Sequence, residues 1–367
     1  MVGPYEYMLL SLGWNDALAQ AFAPFAADEL VPARVSVAYG ATFRVITAEG
    51  DYLADITGRM RHEAQGRRDL PAVGDWVAVK PTTIAGGRAT IQGILPRTSI
   101  FSRKAAGTDT TEQILATNVD TALLMTAFDQ DLNLRRIERY LALTWESGAA
   151  PVILVNKSDL SDEVETLRAE VDRIALGVPV LAISAKQNEG LDALAPYLIP
   201  GRTLVVLGSS GVGKSTLINR LMGEEHFKTR EVRDDDHRGR HTTTHRELVV
   251  LPSGAILIDT PGMRELQLWS ADAGVAGAFD DITALAADCY FADCQHATEP
   301  KCAVKQAVER GEMPADRLAN FHKLQAEQAA LLARQDTVAQ QDRKKRDRQG
   351  SKAVRNYYQL NPQKGQK

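Results

Sequence analysis

Apolar residues along this chain follow two different rhythms, and the change between them falls near residue 118. Before it, short runs rich in Val, Ile, Thr and aromatics, at 33–39, 42–47, 51–57, 74–79 and 89–94, are separated by Gly or Pro. Such residues suit a half-buried pleated surface, and the punctuation marks turns. Five short strands in so little chain predict a small closed barrel, with the five-stranded oligonucleotide-binding (OB) topology the leading candidate. A short helix over 9–23 should precede it.

After residue 118 strands and helices alternate. "VDTALLMTAF" reads as a buried strand, and Ile137, Tyr140, Leu141 and Thr144 place an amphipathic helix over 135–147. "PVILV" is a second strand, and Leu160, Val164, Leu167, Val171 and Ile174 form one face of another helix. "VPVLAIS" is a strand, 190–198 a helix, and "RTLVVLG" a strand that runs into a glycine-rich loop. This alternation predicts a mostly parallel sheet covered on both faces, with ligands bound beyond the carboxyl ends of its strands.

The loop after "RTLVVLG" reads GSSGVGKST. Gly208, Gly213, Lys214 and Ser215 match the phosphate-loop pattern G-x-x-x-x-G-K-[ST], between a strand and an apolar helix. Glycines allow backbone N–H groups to turn inward around phosphates, and the helix start adds a favourable dipole. The cradle runs Gly208, Ser209, Ser210, Gly211, Val212, Gly213, Lys214, Ser215 and Thr216. Lys214 should reach the β- and γ-phosphates, and Ser215 should ligate Mg²⁺.

Guanine is indicated by "NKSD" at 156–159. The Asp159 carboxylate can accept from guanine's two N–H donors, Asn156 supports the base edge, and Lys157 covers the ring. Adenine lacks that donor pair and would leave the carboxylate unpaired. "SAK" (Ser184, Ala185, Lys186) follows the next strand, and its Ala185 N–H is the expected donor to the guanine oxygen. "DTPG" at 259–262 follows the strand "AILI": Asp259 should hold Mg²⁺ through a water, and Gly262 should face the γ-phosphate. In "GRHTTT" at 239–244 one threonine should complete the Mg²⁺ shell, with Thr243 preferred over Thr242. The base motifs thus precede the phosphate loop, and the switch motifs follow it. This order describes a circularly permuted GTPase domain.

Ras-like enzymes position the attacking water with a Gln after the "D-x-x-G" glycine. Here that residue is Met263, which cannot orient water, and the nearest polar substitute is His241, with a solvated loop histidine as the alternative.

All three cysteines of the chain, Cys289, Cys294 and Cys302, lie close together with His296 among them. Three thiolates and one imidazole predict a closed, structural Zn²⁺ site, with helices from 301 to 340 packed around it. Net charge is −4, but from Arg343 onward nine Lys or Arg oppose one Asp. That segment carries +8 and leaves −12 for residues 1–342, which suggests a disordered tail with a polyanionic partner. No apolar run is long enough to span a bilayer and no secretion signal is visible, so a cytoplasmic protein without a membrane partner is expected.

Taken with "LGWND" at 12–16, "RTSIFSRK" at 97–104 and "QILATNVD" at 113–120, these features resemble the RsgA (YjeQ) family over nearly the full length. Those are bacterial GTPases that assist late maturation of the small ribosomal subunit. The resemblance implies an N-terminal extension (1–30), an OB-fold barrel (31–100), a linker (101–117) and the permuted α/β GTPase domain (118–268). It further implies a helical zinc domain (269–342) and a basic tail (343–367), in a monomer that binds GTP and GDP. It implies contact with the small subunit and its rRNA, stimulation of hydrolysis by the ribosome, and His241 as the catalytic group. Many related GTPases place Asn where Gly211 stands, which argues against activation by a monovalent cation. Alternatives are a nucleotide-regulated RNA-binding scaffold, or a GTPase acting on tRNA or the large subunit.

Overall fold

The computed structural model describes residues 4–82, 87–104, 112–129, 132–223, 246–259, 277–330 and 333. The N-terminal helix is two helices, α1 (Pro4–Ser11) and α2 (Asp16–Phe22), because Gly13 between them takes φ +88°. The Asn15 side chain accepts the Leu18 N–H and caps α2.

Five strands follow: β1 (Val31–Tyr39), β2 (Thr42–Thr47), β3 (Gly50–Ile56), β4 (Trp76–Lys80) and β5 (Ala89–Ile94). A helix, α3 (Gly58–Glu63), separates β3 from β4. The strands pair β1-β2-β3-β5-β4 and close through β1 with β4, and only the β3–β5 pair is parallel. Val35, Val45, Val77, Val79 and Ile91 fill the interior. This is the closed OB-type barrel that the short runs indicate.

Residues 101–117, expected as a linker, form most of an antiparallel pair, β6 (Ile100–Lys104) with β7 (Glu112–Thr117). Phe101 and Leu115 from it enter the main core. An apolar residue on each strand gives the hairpin something to bury.

The next sheet is built from β8 (Thr121–Ala127), β9 (Ala150–Asn156), β10 (Val180–Ala182), β11 (Thr203–Gly208), β12 (Glu247–Val250) and β13 (Ile256–Asp259). Its order is β10-β9-β8-β11-β13-β12, parallel except for the β12 edge. The intervening helices are α4 (Leu134–Ser147), α5 (Val164–Ala175) and α6 (Lys214–Met222), while the helix expected over 190–198 is a single 3₁₀ turn, Leu191–Leu194. Barrel and sheet are continuous at one register pair, Val37 opposite Glu247. Their junction is tight: a Cβ on Gly74, whose φ is +96°, would stand 2.2 Å from the Thr117 carbonyl oxygen.

Beyond the sheet lie α7 (Asp280–Ala286), α8 (Ala303–Glu309) and α9 (residues 315–330). Phe279, Ile282, Val304, Phe321 and Leu324 belong to the same apolar cluster as Leu141 and Ile153 of the sheet domain. Among the described residues the C-terminal helices therefore share the core of the sheet domain. No helix of the described residues is long and apolar enough to cross a membrane.

Candidate nucleotide-binding site and metal centre

Both nucleotide motifs stand at the carboxyl ends of parallel strands of one sheet. β11 ends at Gly208 and opens the phosphate loop; β9, separated from it only by β8, ends at Asn156. Lys214 begins α6 and folds back over the loop, its ammonium donating to the carbonyl oxygens of Gly208 (2.7 Å) and Ser209. Gly213 takes φ +104°, and a Cβ there would meet Asn156 Nδ2 at 2.2 Å, so the position requires glycine. Gly211 is also left-handed, at φ +79°. Asn tolerates that backbone better than most residues, so the chain can carry either residue there.

Asn156 is buried and joins three loops. Its Nδ2 donates to the Val212 carbonyl (2.8 Å), its Oδ1 accepts from the Ala185 N–H (2.9 Å), and its own carbonyl accepts from the Phe128 N–H. The left-handed Lys157 (φ +62°) turns the chain, and its ammonium pairs with Asp129 at 2.6 Å. Asp159 follows in a 3₁₀ turn at the exposed mouth, where Ser184 Oγ donates to its Oδ1 at 2.6 Å. The motif residues of 156–159, 184–186 and 208–216 are therefore assembled in one place. The Ala185 N–H is an exception to its expected role, because it is engaged by Asn156. Asp129 and Arg220, which donates to the carbonyls of Ala185 and Lys186, are members of the site that sequence reasoning missed. Neither belongs to a motif, and only the folded packing brings them in.

Ser215 lies in the first turn of α6, and Asp259 closes β13, which pairs directly with the phosphate-loop strand. A hydroxyl at the start of the helix that follows one strand and a carboxylate at the end of its neighbour suit Mg²⁺, which when bound with GTP would neutralise phosphate charge. His241, Thr243 and Gly262 lie outside the described residues.

The cysteine–histidine cluster is compact. Cys289 Sγ and Cys302 Sγ are 3.8 Å apart, and His296 Nδ1 is 3.6 Å from the first and 3.4 Å from the second. All four ligand atoms, with Cys294 included, lie within 4.8 Å of one another. Zn–S bonds of about 2.3 Å at tetrahedral angles require sulfur atoms about 3.8 Å apart, so the donors fit one zinc ion. Burial pushes the Cys289 thiol up, but N–H donors of Val304 and Ala303 and the neighbouring thiols bring it below its ordinary value. Cys294 is pushed up to about 11, by desolvation first. Three crowded thiols resist joint ionisation, and a divalent cation removes that conflict. Burial lowers the His296 imidazole, which favours the neutral form that binds metal. His296 itself sits at φ +58°, turning the chain back toward Cys302.

A phosphate loop, a guanine-type acidic loop ahead of it in sequence, and an intact parallel sheet define a circularly permuted P-loop GTPase. It carries an OB-type barrel before and a cysteine–histidine helical unit after. The RsgA GTPase family model matches residues 94–269. A model for ABC transporters matches 191–358; both contain the phosphate loop, but only the first contains 156–159. The small ribosomal subunit biogenesis GTPase RsgA of Opitutus terrae is 49% identical over 356 residues, 94% of this chain and 97% of that protein. Its counterpart from Streptomyces coelicolor is 43% identical over 347 residues, 94% and 93% of the two chains. The crystal structure of YjeQ from Thermotoga maritima superposes with TM-score 0.62 at 26% identity, covering 82% of this chain and 99% of that one. YloQ, described as a circularly permuted GTPase, gives 0.57 at 25% identity over 82% and 96%. The chain belongs to the RsgA family of GTPases.

Proposed function

We propose that this GTPase acts in late maturation of the small ribosomal subunit, and that the subunit stimulates its hydrolysis of GTP. The observation that carries the reading is full-length likeness, 49% and 43% identity over more than nine-tenths of the chain, to proteins named for small-subunit biogenesis. The geometry supports the nucleotide half: Asp159 stands where it can accept from guanine's N–H pair, beside a phosphate loop tied to it through Asn156. Barrel and cysteine–histidine unit pack against the GTPase domain and, on this reading, offer surfaces for rRNA. On this reading the protein works in the cytoplasm as a monomer. His241 orients the attacking water in the complex with the subunit, so hydrolysis by the isolated protein is slow.

Single-turnover GTP hydrolysis should be measured alone, with small subunits, with large subunits and with tRNA. Small subunits alone should accelerate it, and His241→Ala should lose most of that acceleration. Equal acceleration by large subunits or tRNA would overturn the assignment of target. Full stimulation of the His241 variant would overturn the role given to that residue.

A further inference from the structure

The guanine-reading loop is held by a residue that no motif contains. Arg220 sits on α6, less than two turns beyond Lys214, on the helix that the phosphate loop opens. Its Nε donates to the Ala185 carbonyl at 3.2 Å, and its Nη2 donates to the Lys186 carbonyl at 3.0 Å. Two successive peptides of the loop are thereby oriented from one side. From the other side, Asn156 Oδ1 takes the Ala185 N–H and Ser184 Oγ takes the Gln187 N–H at 3.1 Å. That leaves the Lys186 N–H as the one backbone donor of 184–187 without a hydrogen-bond partner among the described residues. The peptide that carries it is the one whose carbonyl Arg220 holds.

We infer that Arg220 is a positioning residue for guanine specificity: by anchoring the Ala185 and Lys186 carbonyls it presents the Lys186 N–H to the guanine O6. The physical argument is one of peptide orientation. An amide carbonyl and its N–H point in opposite directions, so a guanidinium that fixes the carbonyl fixes the donor as well. Were the 185–186 peptide to flip, its oxygen would face another oxygen at O6, an unpaired acceptor against an acceptor. Arg suits the task because one planar group reaches two carbonyls at once, which a Lys ammonium does less well. Arg220 also makes the base loop and the phosphate loop one unit, since both are fixed to α6. This inference rests on the guanine reading proposed above and extends it to a residue outside the motifs.

The test uses the full-length protein and two diphosphates: GDP, and 6-thioguanosine diphosphate, which keeps the N1–H and N2–H donors for Asp159 but carries sulfur, a weak hydrogen-bond acceptor, in place of O6. Affinities and release rates should be measured for wild type, Arg220→Met and Arg220→Lys, with ADP as a control. Wild type should prefer GDP over both other nucleotides. Arg220→Met should weaken GDP about tenfold or more, mainly through faster release, while the 6-thio nucleotide changes less than about threefold. Arg220→Lys should fall between. Unchanged GDP affinity in Arg220→Met, or equal loss for GDP and the 6-thio nucleotide, would overturn the inference and leave the guanine reading standing. A wild type with no preference for GDP over ADP would overturn both together.

Discussion

Two buried arginines mark the two junctions of the GTPase domain, and they are held in opposite ways. At the barrel side, Arg34 of β1 is 1% exposed and bonds neutral groups only. Its acceptors are the carbonyls of Leu12, Gly74 (3.4 Å) and Asn118 (3.4 Å), and the Thr203 hydroxyl (2.7 Å) at the start of the phosphate-loop strand. Asp120 and Asp75 act on it only through space, and burial pulls its pKa down to about 10. At the other side, Arg317 of α9 is paired with Asp281 (2.7 and 2.8 Å) and with Glu138 of α4 (2.7 Å). Burial pulls its guanidinium down too, but the bonds to Asp281 and Glu138 win and leave it above its ordinary value. Glu138 is fully buried and also takes Asn320 and Arg135. One junction is thus an alignment of four backbone segments around a cation; the other is an ion network that depends on each member.

The largest expected contrast comes from the metal. Cys302 caps α8, its sulfur accepting the Lys305 N–H, and Ser is a good cap in its place, so Cys302→Ser removes a thiolate with little damage to the helix itself. Structural zinc supplies on the order of 10 kcal/mol or more to small domains. Metal analysis should find one zinc per chain in wild type and none in the variant. Hydrogen exchange should then show α7 and α8 losing protection while β1 and β4 keep theirs. Unchanged protection of α7 and α8 after complete loss of the metal would refute the structural role.

Next in size is the ion network. Arg317→Met leaves Glu138 buried with only Asn320 and Arg135 as partners and should destabilise the α4–α9 junction by roughly 3–5 kcal/mol. Adding Glu138→Leu removes the orphaned charge, so the double variant should recover a substantial part of the loss in denaturant unfolding followed at the C-terminal helices. Additive losses in the two variants would show that the pair is not coupled.

Neither junction was legible in the sequence, whereas most of the site was. Strand 89–94 and the phosphate-loop strand are found where the pattern puts them, because alternation and Gly punctuation are local signals. Asn156, Asp159 and Lys214 were readable for the same reason: their chemistry is written within four to nine consecutive residues. Glu138 was not. It lies between Ile137 and Arg139 on a helix whose apolar face is obvious, so it reads as the solvent side. Its partners Arg317 and Asn320 come from α9, 179 and 182 residues later. Arg34 is similar, with acceptors 22 to 169 residues away. Arg220 and the Asn156 bond to Ala185 were missed because they are properties of loops meeting in space.

The smallest of the three effects should be that of Arg34. Arg34→Met strips bonds from three carbonyls and one hydroxyl, and buried acceptors left unpaired cost about 1–3 kcal/mol each when no water replaces the donor. Against this, the variant no longer buries an unpaired cation, and the depressed pKa of Arg34 reports that its surroundings disfavour the charge. Methionine also keeps an apolar stem against Trp76, over whose ring the guanidinium lies at 5.6 Å. The two effects oppose each other, so the net loss should be about 1–3 kcal/mol, smaller than for Arg317→Met. Because the acceptors come from the α1–α2 turn, the β4 approach, the start of β8 and the start of β11, the variant should also loosen those segments together. Hydrogen exchange at residues 10–14, 74–76 and 118–121 should accelerate in parallel, while α9 stays protected. A loss equal to or greater than that of Arg317→Met would show that the cation at the barrel junction is held as firmly as the paired one, and the contrast between the two junctions would fail.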